Sequence, residues 1–147
     1  MTEKRRVLFV CVANDARSPM AEALLRHTDG EHFEAFSAGV HPTAIDPRAR
    51  EVLEHAGISS EGLRSKSIDE FRGQHFDYLI DLCDKSSDEG DELPVASQVP
   101  VWNFVDPARS EQHDPFRHTL QEISDRLKLF EMVKKAESPH GCGLSAS

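Results

Sequence analysis

A cysteine and an arginine separated by five residues stand where a short apolar run gives way to a helical pattern. The run ends at Cys11, Arg17 follows, and Ser18-Pro19 then begins a helix. Backbone N–H groups in such a loop can form a nest for an anion, and the helix adds unpaired N–H groups and the positive end of its dipole. Arg17 can hold two oxygens of the anion at once. The residues predicted to bind a tetrahedral oxyanion are Val12, Ala13, Asn14, Asp15, Ala16, Arg17 and Ser18.

Cys11 is the candidate nucleophile of this loop. The positive field lowers the pKa of its thiol, so that a thiolate forms at neutral pH. Ser18 can donate a hydrogen bond to this thiolate and can also cap the helix, and the two roles are compatible. The alternative interpretation is a buried strand-end cysteine, with Arg17 as a surface charge. We prefer the chemical interpretation because strand, C-x5-R spacing, Ser-Pro and helix occur in the order that anion binding requires.

Short apolar segments alternate with helical patterns along the chain. Strands are predicted at Val7–Val10, Phe33–Ser37, Phe76–Leu82 and Val99–Phe104. Helices are predicted to begin at Ser18-Pro19, Asp46-Pro47, Ser67 and Asp114-Pro115. The first should bury Met20, Ala23, Leu24 and His27, and the last should bury Phe116, Leu120, Ile123, Leu127 and Phe130. This alternation predicts an α/β fold, a single domain with a four-stranded, mostly parallel sheet and helices on both faces.

Chemically able side chains follow three of the predicted strands. Ligands of such sheets bind at the carboxyl ends of the strands. Cys11 follows the first strand, Cys83 follows the third, and Asp106 lies two residues beyond the fourth. Asp106 could protonate a leaving oxygen as a general acid, or Asp106-Pro107 could simply begin a turn. Its place at the same edge as Cys11 favours the acid.

Charge and hydropathy exclude several classes of function. The chain has 147 residues and a net charge of −9, which argues against a nucleic-acid partner and against an anionic membrane surface. No apolar run approaches the roughly 20 residues of a membrane span. Only a short apolar run follows the basic segment Met1–Arg6, too short for the core of a signal peptide. We therefore expect a cytoplasmic protein.

The cysteines and histidines indicate reactive thiols and no metal. Three cysteines in a cytoplasmic chain favour redox or catalytic chemistry over a disulfide framework. The histidines lack metal-ligand spacing, and His140 with Cys142 is too sparse a pair for a site. No nucleotide-binding motif is present, so we predict no bound cofactor. We expect the catalytic domain to span residues 1–135 and a flexible tail to span residues 136–147.

The motifs together resemble the low-molecular-weight tyrosine phosphatase superfamily, from Arg6 to about Phe130. The resemblance rests on the C-x5-R-S loop and its helix, on Ser37-Ala38-Gly39, and on the late Asp106-Pro107. Within the superfamily the arsenate reductase branch is more similar than the phosphatases. The segments that favour it are the loop itself, Arg64-Ser65-Lys66-Ser67, Leu82-Cys83-Asp84 and Trp102-Asn103-Phe104-Val105-Asp106-Pro107. Phosphatases usually carry tyrosines beside the Asp-Pro, whereas Ala108 and Arg109 follow here.

The resemblance implies a low-molecular-weight phosphatase fold and thiol-dependent reduction of arsenate to arsenite. Cys11 would attack arsenate held by the loop and Arg17, while Asp106 protonates the departing oxygen. Cys83 would then attack Cys11, which releases arsenite and leaves a Cys11–Cys83 disulfide. The alternative for Cys83 is a buried strand cysteine.

Three departures from the family pattern bear on this mechanism. Ala13 and Ala16 stand where phosphatases usually have Gly and Cys, and Asp15 puts a carboxylate into an anion loop. Thioredoxin-linked reductases carry another cysteine shortly after the one that matches Cys83, and this chain does not. Either Cys142 takes over the disulfide, or an external thiol such as thioredoxin or glutathione with glutaredoxin resolves it. We expect a monomer.

Two other functions remain open. One is a phosphatase that hydrolyses phosphotyrosine or a small phosphoester through a phosphocysteine, using Cys11, Arg17 and Asp106 without redox change. The other is a non-catalytic module that binds oxyanions or senses redox state. Arsenate reduction requires Cys83, whereas phosphoester hydrolysis does not. The binding module would bind anions without any turnover.

Overall fold

The computed structural model describes residues 4–11, 16–39, 43–71, 73–82, 95–98, 102 and 114–136. The strands are β1 (Arg5–Cys11), β2 (Phe33–Gly39), β3 (His75–Asp81) and β4 (Val95–Gln98). The α-helices are α1 (Arg17–Asp29), α2 (Pro47–His55) and α3 (Pro115–Ala136), and a 3-10 helix spans Ile68–Phe71.

The strands form one parallel sheet in the order β2-β1-β3-β4. Three strands of seven residues make its body, and the four-residue β4 extends it beside β3. Cys11 pairs with Gly39 at the carboxyl end of β1, and Val10 pairs with Asp81 on the other side. The parallel arrangement predicted from the alternating pattern is therefore confirmed.

The fourth strand differs in position from the prediction. It lies at Val95–Gln98, directly before the predicted segment Val99–Phe104. Within that segment the structure describes Trp102 alone, which lies outside any strand and donates its backbone N–H to the carbonyl of Asp81 at 2.6 Å. Apolar periodicity does not fix strand ends, because it records burial and not backbone pairing.

The sheet is buried on both faces. On one face Val7 and Phe9 of β1 pack into a large core that includes side chains from all three α-helices. On the other face Leu8 and Val10 pack with Ile68 and Phe71 of the 3-10 helix, among others. Of the described helices, the α-helices thus cover one face and the 3-10 helix covers the other.

The helix predictions hold in most details. The five residues of the predicted stripe on α3 are all buried. Asp46 caps α2, Pro47 occupies its first position, and Gly57 follows its end with a φ of +78°. His27 is exposed, so its predicted place on the buried face of α1 is wrong. Leu25 and Ala21 are buried instead, because α1 packs against β1, β2 and α3 at once.

Candidate functional site

Cys11 lies at the carboxyl end of the central strand β1 and is fully buried. Its Sγ lies 2.9 Å from the Oγ of Ser18, in hydrogen-bond contact. A hydroxyl that donates to sulfur stabilises the thiolate relative to the thiol. The strand end and the helix start therefore hold the sulfur within hydrogen-bond distance of a hydroxyl.

The first turn of α1 provides an electrostatic environment suited to an anion. The helix begins at Arg17, after Ala16 as the N-cap, and no side chain caps it. Its first turn contains no acidic residue. The backbone N–H groups of a helix's first turn and the positive end of its dipole favour a negative charge. Arg17 is half-buried at this end of the helix.

Ser18 does not cap the helix, and its hydroxyl contacts the Cys11 sulfur. It is the second residue of α1, not the N-cap. Pro19 is the third helical residue, where its missing N–H is tolerated because the first turn has no intrahelical acceptors. The boundary shifts by two residues because Ala16 accepts the first helical hydrogen bond, from the N–H of Met20 at 2.9 Å.

Several predicted site residues lie outside the described part of the chain. They are Val12, Ala13, Asn14, Asp15, Cys83, Asp106 and Cys142. The described neighbours of two of them are informative. The N–H of Leu82 donates to the carbonyl of Val10 at 2.8 Å, so the residue before Cys83 in sequence lies beside the residue before Cys11. Trp102, four residues before Asp106, donates its backbone N–H to the carbonyl of Asp81 at the end of β3.

A buried polar cluster that α1 and β2 share with Lys66 was not found by sequence reasoning. The carboxylate of Glu22 accepts a hydrogen bond from the hydroxyl of Ser37 at 2.5 Å and lies 3.5 Å from the ammonium of Lys66. Arg26 forms a close ion pair with its other oxygen. Only 3% of Glu22 and 8% of Lys66 are exposed. The available signal was one acidic residue among the apolar residues of the first two turns of α1.

The described residues show no site for a metal and no membrane helix. No group of three or more His, Cys, Asp or Glu side chains in the described ranges could hold an ion. The same part of the chain contains no helix with the length and apolar character to cross a bilayer.

The structure is an α/β domain in which a cysteine ends an inner strand of a parallel sheet. This cysteine is in hydrogen-bond contact with the first turn of the next helix. The family model of the low molecular weight phosphotyrosine protein phosphatases matches residues 6–138, and the chain belongs to this family. The resemblance inferred from the sequence is therefore confirmed.

Similar members of the family carry the arsenate reductase name. The arsenate reductase of Halalkalibacterium halodurans is 30% identical over 132 residues, which cover 86% of this chain and 95% of that protein. A solved arsenate reductase in a phosphate-binding state matches with a TM-score of 0.74 and 25% identity, covering 88% of this chain and 98% of that one. The thioredoxin-dependent arsenate reductase of Corynebacterium glutamicum gives 0.71 and 27%, covering 92% and 64%.

Proposed function

We propose that this protein reduces arsenate to arsenite with Cys11 as nucleophile and an external thiol as the electron source. The observation that carries the proposal is the buried Cys11 sulfur, 2.9 Å from Ser18 at a helix start without acidic residues. Such a position favours both a thiolate and a bound oxyanion. The arsenate reductase names of its relatives support the choice of substrate.

In the first proposed step the thiolate of Cys11 attacks arsenic. The backbone of Val12–Ala16 and the guanidinium of Arg17 hold the remaining oxygens. A sulfur–arsenic bond forms and an arsenic–oxygen bond breaks. Asp106 donates a proton, so that the oxygen leaves as water. Lowered nucleophile pKa and a positioned acid are the two requirements of such a displacement.

In the second proposed step Cys83 reduces the arsenic. Its sulfur attacks the sulfur of Cys11, a disulfide forms, and the sulfur–arsenic bond breaks. The bonding pair goes to arsenic, which passes from As(V) to As(III), while two thiols become one disulfide. The hydrogen bond from Leu82 to Val10 supports this pairing, because Cys11 is the last residue of β1 and Cys83 follows the end of the adjacent strand β3 by two residues.

The disulfide must then be reduced by a second thiol system. The Corynebacterium glutamicum relative is thioredoxin-dependent, which favours a thioredoxin-like donor in the cytoplasm. Glutathione with glutaredoxin is the other candidate donor, and Cys142 is a candidate relay. All proposed site residues belong to one chain, so we propose that a monomer is active.

A phosphatase is the second candidate function, and the family name favours it. Phosphate and arsenate have the same shape and charge, so the same loop would hold a phosphoester. Hydrolysis would need Cys11, Arg17 and Asp106, with water in place of Cys83. Residual phosphatase activity is therefore compatible with either physiological role.

Cys83→Ser separates the two functions. We expect arsenite production with a thioredoxin system or a glutaredoxin–glutathione system to fall about a hundredfold or more, because the thiol proposed to attack the Cys11 sulfur is missing. Hydrolysis of p-nitrophenyl phosphate should change less than about twofold. Arsenite release and phosphoester hydrolysis are measured on the same preparations.

Cys11→Ser is the control, and it should abolish both activities. Cys142→Ser tests the relay, with each reductant in turn. Arsenite production that survives Cys83→Ser with both reductants would contradict the resolving role. Wild-type protein that hydrolyses phosphoesters but produces no arsenite with either reductant would favour the phosphatase.

A further inference from the structure

The buried carboxylate of Glu22 lies one helical turn after Ser18. It is held by three groups from three segments, namely the Ser37 hydroxyl, the Lys66 ammonium and the Arg26 guanidinium. The ammonium of Lys66 also donates to the carbonyl of Arg64 at 3.0 Å. A buried carboxylate needs such compensation, because desolvation penalises its charge heavily.

This cluster is built from the segments that surround Cys11. Ser37 lies on β2, two residues before Gly39, which pairs with Cys11. The N–H of Gly39 donates to the carbonyl of Lys66 at 2.8 Å. Glu22 is on the same helix as Ser18, the partner of the Cys11 sulfur. The segments that carry the cluster are therefore bonded to the segments that hold Cys11.

The net charge of the cluster determines its effect on the anion site at Cys11. Glu22 alone would place a negative charge behind a thiolate and a bound oxyanion, which would raise the pKa of Cys11 and weaken anion binding. Lys66 cancels this charge from a buried position, whereas half of the Arg26 side chain is in solvent and its charge is screened. Arg17 adds positive charge at the helix start.

Asp81 is the other charged residue at this edge among the described strands. It neighbours Val10 in the register and alternates with Ile80 along β3. Ile80 belongs to the core on the α-helix side, so Asp81 points to the opposite face. Besides Arg26 and Lys66, Glu22 interacts electrostatically with the exposed Arg64, and Lys66 interacts with the exposed Glu70.

We propose that Lys66 is a positioning residue that keeps the Cys11 site electropositive by neutralising Glu22. The inference rests on the proposed function, in that Cys11 must bind an oxyanion. A merely structural role of Lys66 would concern stability and not anion binding. Buried ion pairs often contribute little to stability and can be replaced by neutral groups. The electrostatic role makes opposite predictions for the two partners of the pair.

The test uses Lys66→Met, Glu22→Gln and the double variant. All are made in the full chain with Cys83→Ser and Cys142→Ser, so that Cys11 is its single thiol. Inorganic phosphate binding is measured by calorimetry, and the rate of alkylation by iodoacetamide is measured against pH. Arg64→Met is the matched control, because it removes a positive charge that also interacts with Glu22 but is exposed and paired with Glu70, so that solvent screens it.

Lys66→Met should weaken phosphate binding about tenfold and move the alkylation profile to higher pH, whereas Glu22→Gln should strengthen binding and move it to lower pH. By Coulomb's law, an effect of this size corresponds to a unit charge on the order of 10 Å from the site at an effective dielectric constant of about 20. The double variant should return within about threefold of the parent. Arg64→Met should change binding less than about twofold.

The outcomes separate this inference from the proposed function. If the parent binds no phosphate and its thiol has an ordinary profile, the proposed function is wrong. If the parent binds phosphate but Lys66→Met equals it, or the double variant is as weak as Lys66→Met, the inference alone is overturned. Should Lys66→Met fail to fold, Glu22→Gln decides, because weaker or unchanged binding in that variant contradicts the charge argument.

Discussion

A single side-chain contact, between Ser18 and Cys11, connects the start of α1 to the sulfur. The hydroxyl is buried and lies 2.9 Å from Sγ. Hydrogen bonds to charged groups are stronger than neutral ones by roughly a factor of two. The contact should therefore be worth more with the thiolate than with the thiol, which is the condition for lowering a pKa.

Ser18→Ala is expected to raise the pKa of Cys11. At neutral pH, arsenate turnover should fall about tenfold, the size of one charge-assisted hydrogen bond, and should recover as the pH rises and the thiol ionises. The measurement is the pH profile of turnover with saturating reductant.

Ser60→Ala is the matched control for that variant. It removes another buried hydroxyl, which donates to Glu54 at 2.9 Å in the segment after α2. Its turnover profile should coincide with that of the wild type. A Ser18→Ala profile that falls equally at every pH would show that the hydroxyl does not act through ionisation.

The helix α2 shows how one residue sets an element's boundary. The carboxylate of Asp46 accepts the N–H of Arg48 at 2.9 Å, and Pro47 occupies the first helical position. The Arg48 guanidinium also binds the same carboxylate and lowers the pKa of Asp46. The ion pair needs the ionised carboxylate and the cap bond is stronger with it, so the stabilisation by Asp46 depends on pH.

Asp46→Ala should lower the free energy of unfolding by about 1 kcal/mol at neutral pH, the usual cost of a lost N-cap. Because the pKa of Asp46 is lower in the folded protein, its contribution is present above the ordinary Asp pKa. It is lost as the pH falls through the lowered value. Urea unfolding across this acidic range measures it.

Asp46→Asn controls for the charge, because asparagine is also a good N-cap. It should lose less stability than Asp46→Ala at neutral pH. Its difference from the wild type should vanish at the acidic end of the range. A difference that grows as the pH falls would contradict the assigned sign.

The whole molecule is organised around a parallel sheet that is buried on both faces. Leu79 and Ile80 are neighbours on β3, and both are fully buried. Leu79 packs in the core beside the 3-10 helix, and Ile80 packs in the core beneath the α-helices. Strands of this kind read as continuous apolar runs because neither face meets water.

Leu79→Ala and Ile80→Ala should therefore both destabilise the protein, each by about 2–5 kcal/mol. Urea unfolding of the two variants tests this. Leu129→Ala, at a position of α3 that is 60% exposed, should change the stability by less than about 0.5 kcal/mol. A tolerated Leu79→Ala would mean that the second face is not a sealed core.

The sequence by itself determined the elements and their order. The apolar run before Cys11, the Asp46-Pro47 helix start and the five-residue stripe of α3 are local signals, in which neighbouring residues dictate backbone state and burial. The same locality allowed the C-x5-R-S pattern to indicate the family. The sequence patterns misplaced the start of α1 by two residues and the fourth strand by one segment. Element boundaries depend on which partner each backbone N–H or carbonyl group bonds to, and local patterns do not show this.

Only the tertiary structure decided which distant side chains meet. Ser18 turned to the sulfur of Cys11 because the strand end lies against the helix start. Glu22, Ser37 and Lys66 come from three separate segments, and no spacing in the chain links them. Their contact is fixed by the packing of α1 across β2 and by the bond between Gly39 and Lys66, both of which are long-range interactions that periodicity does not encode.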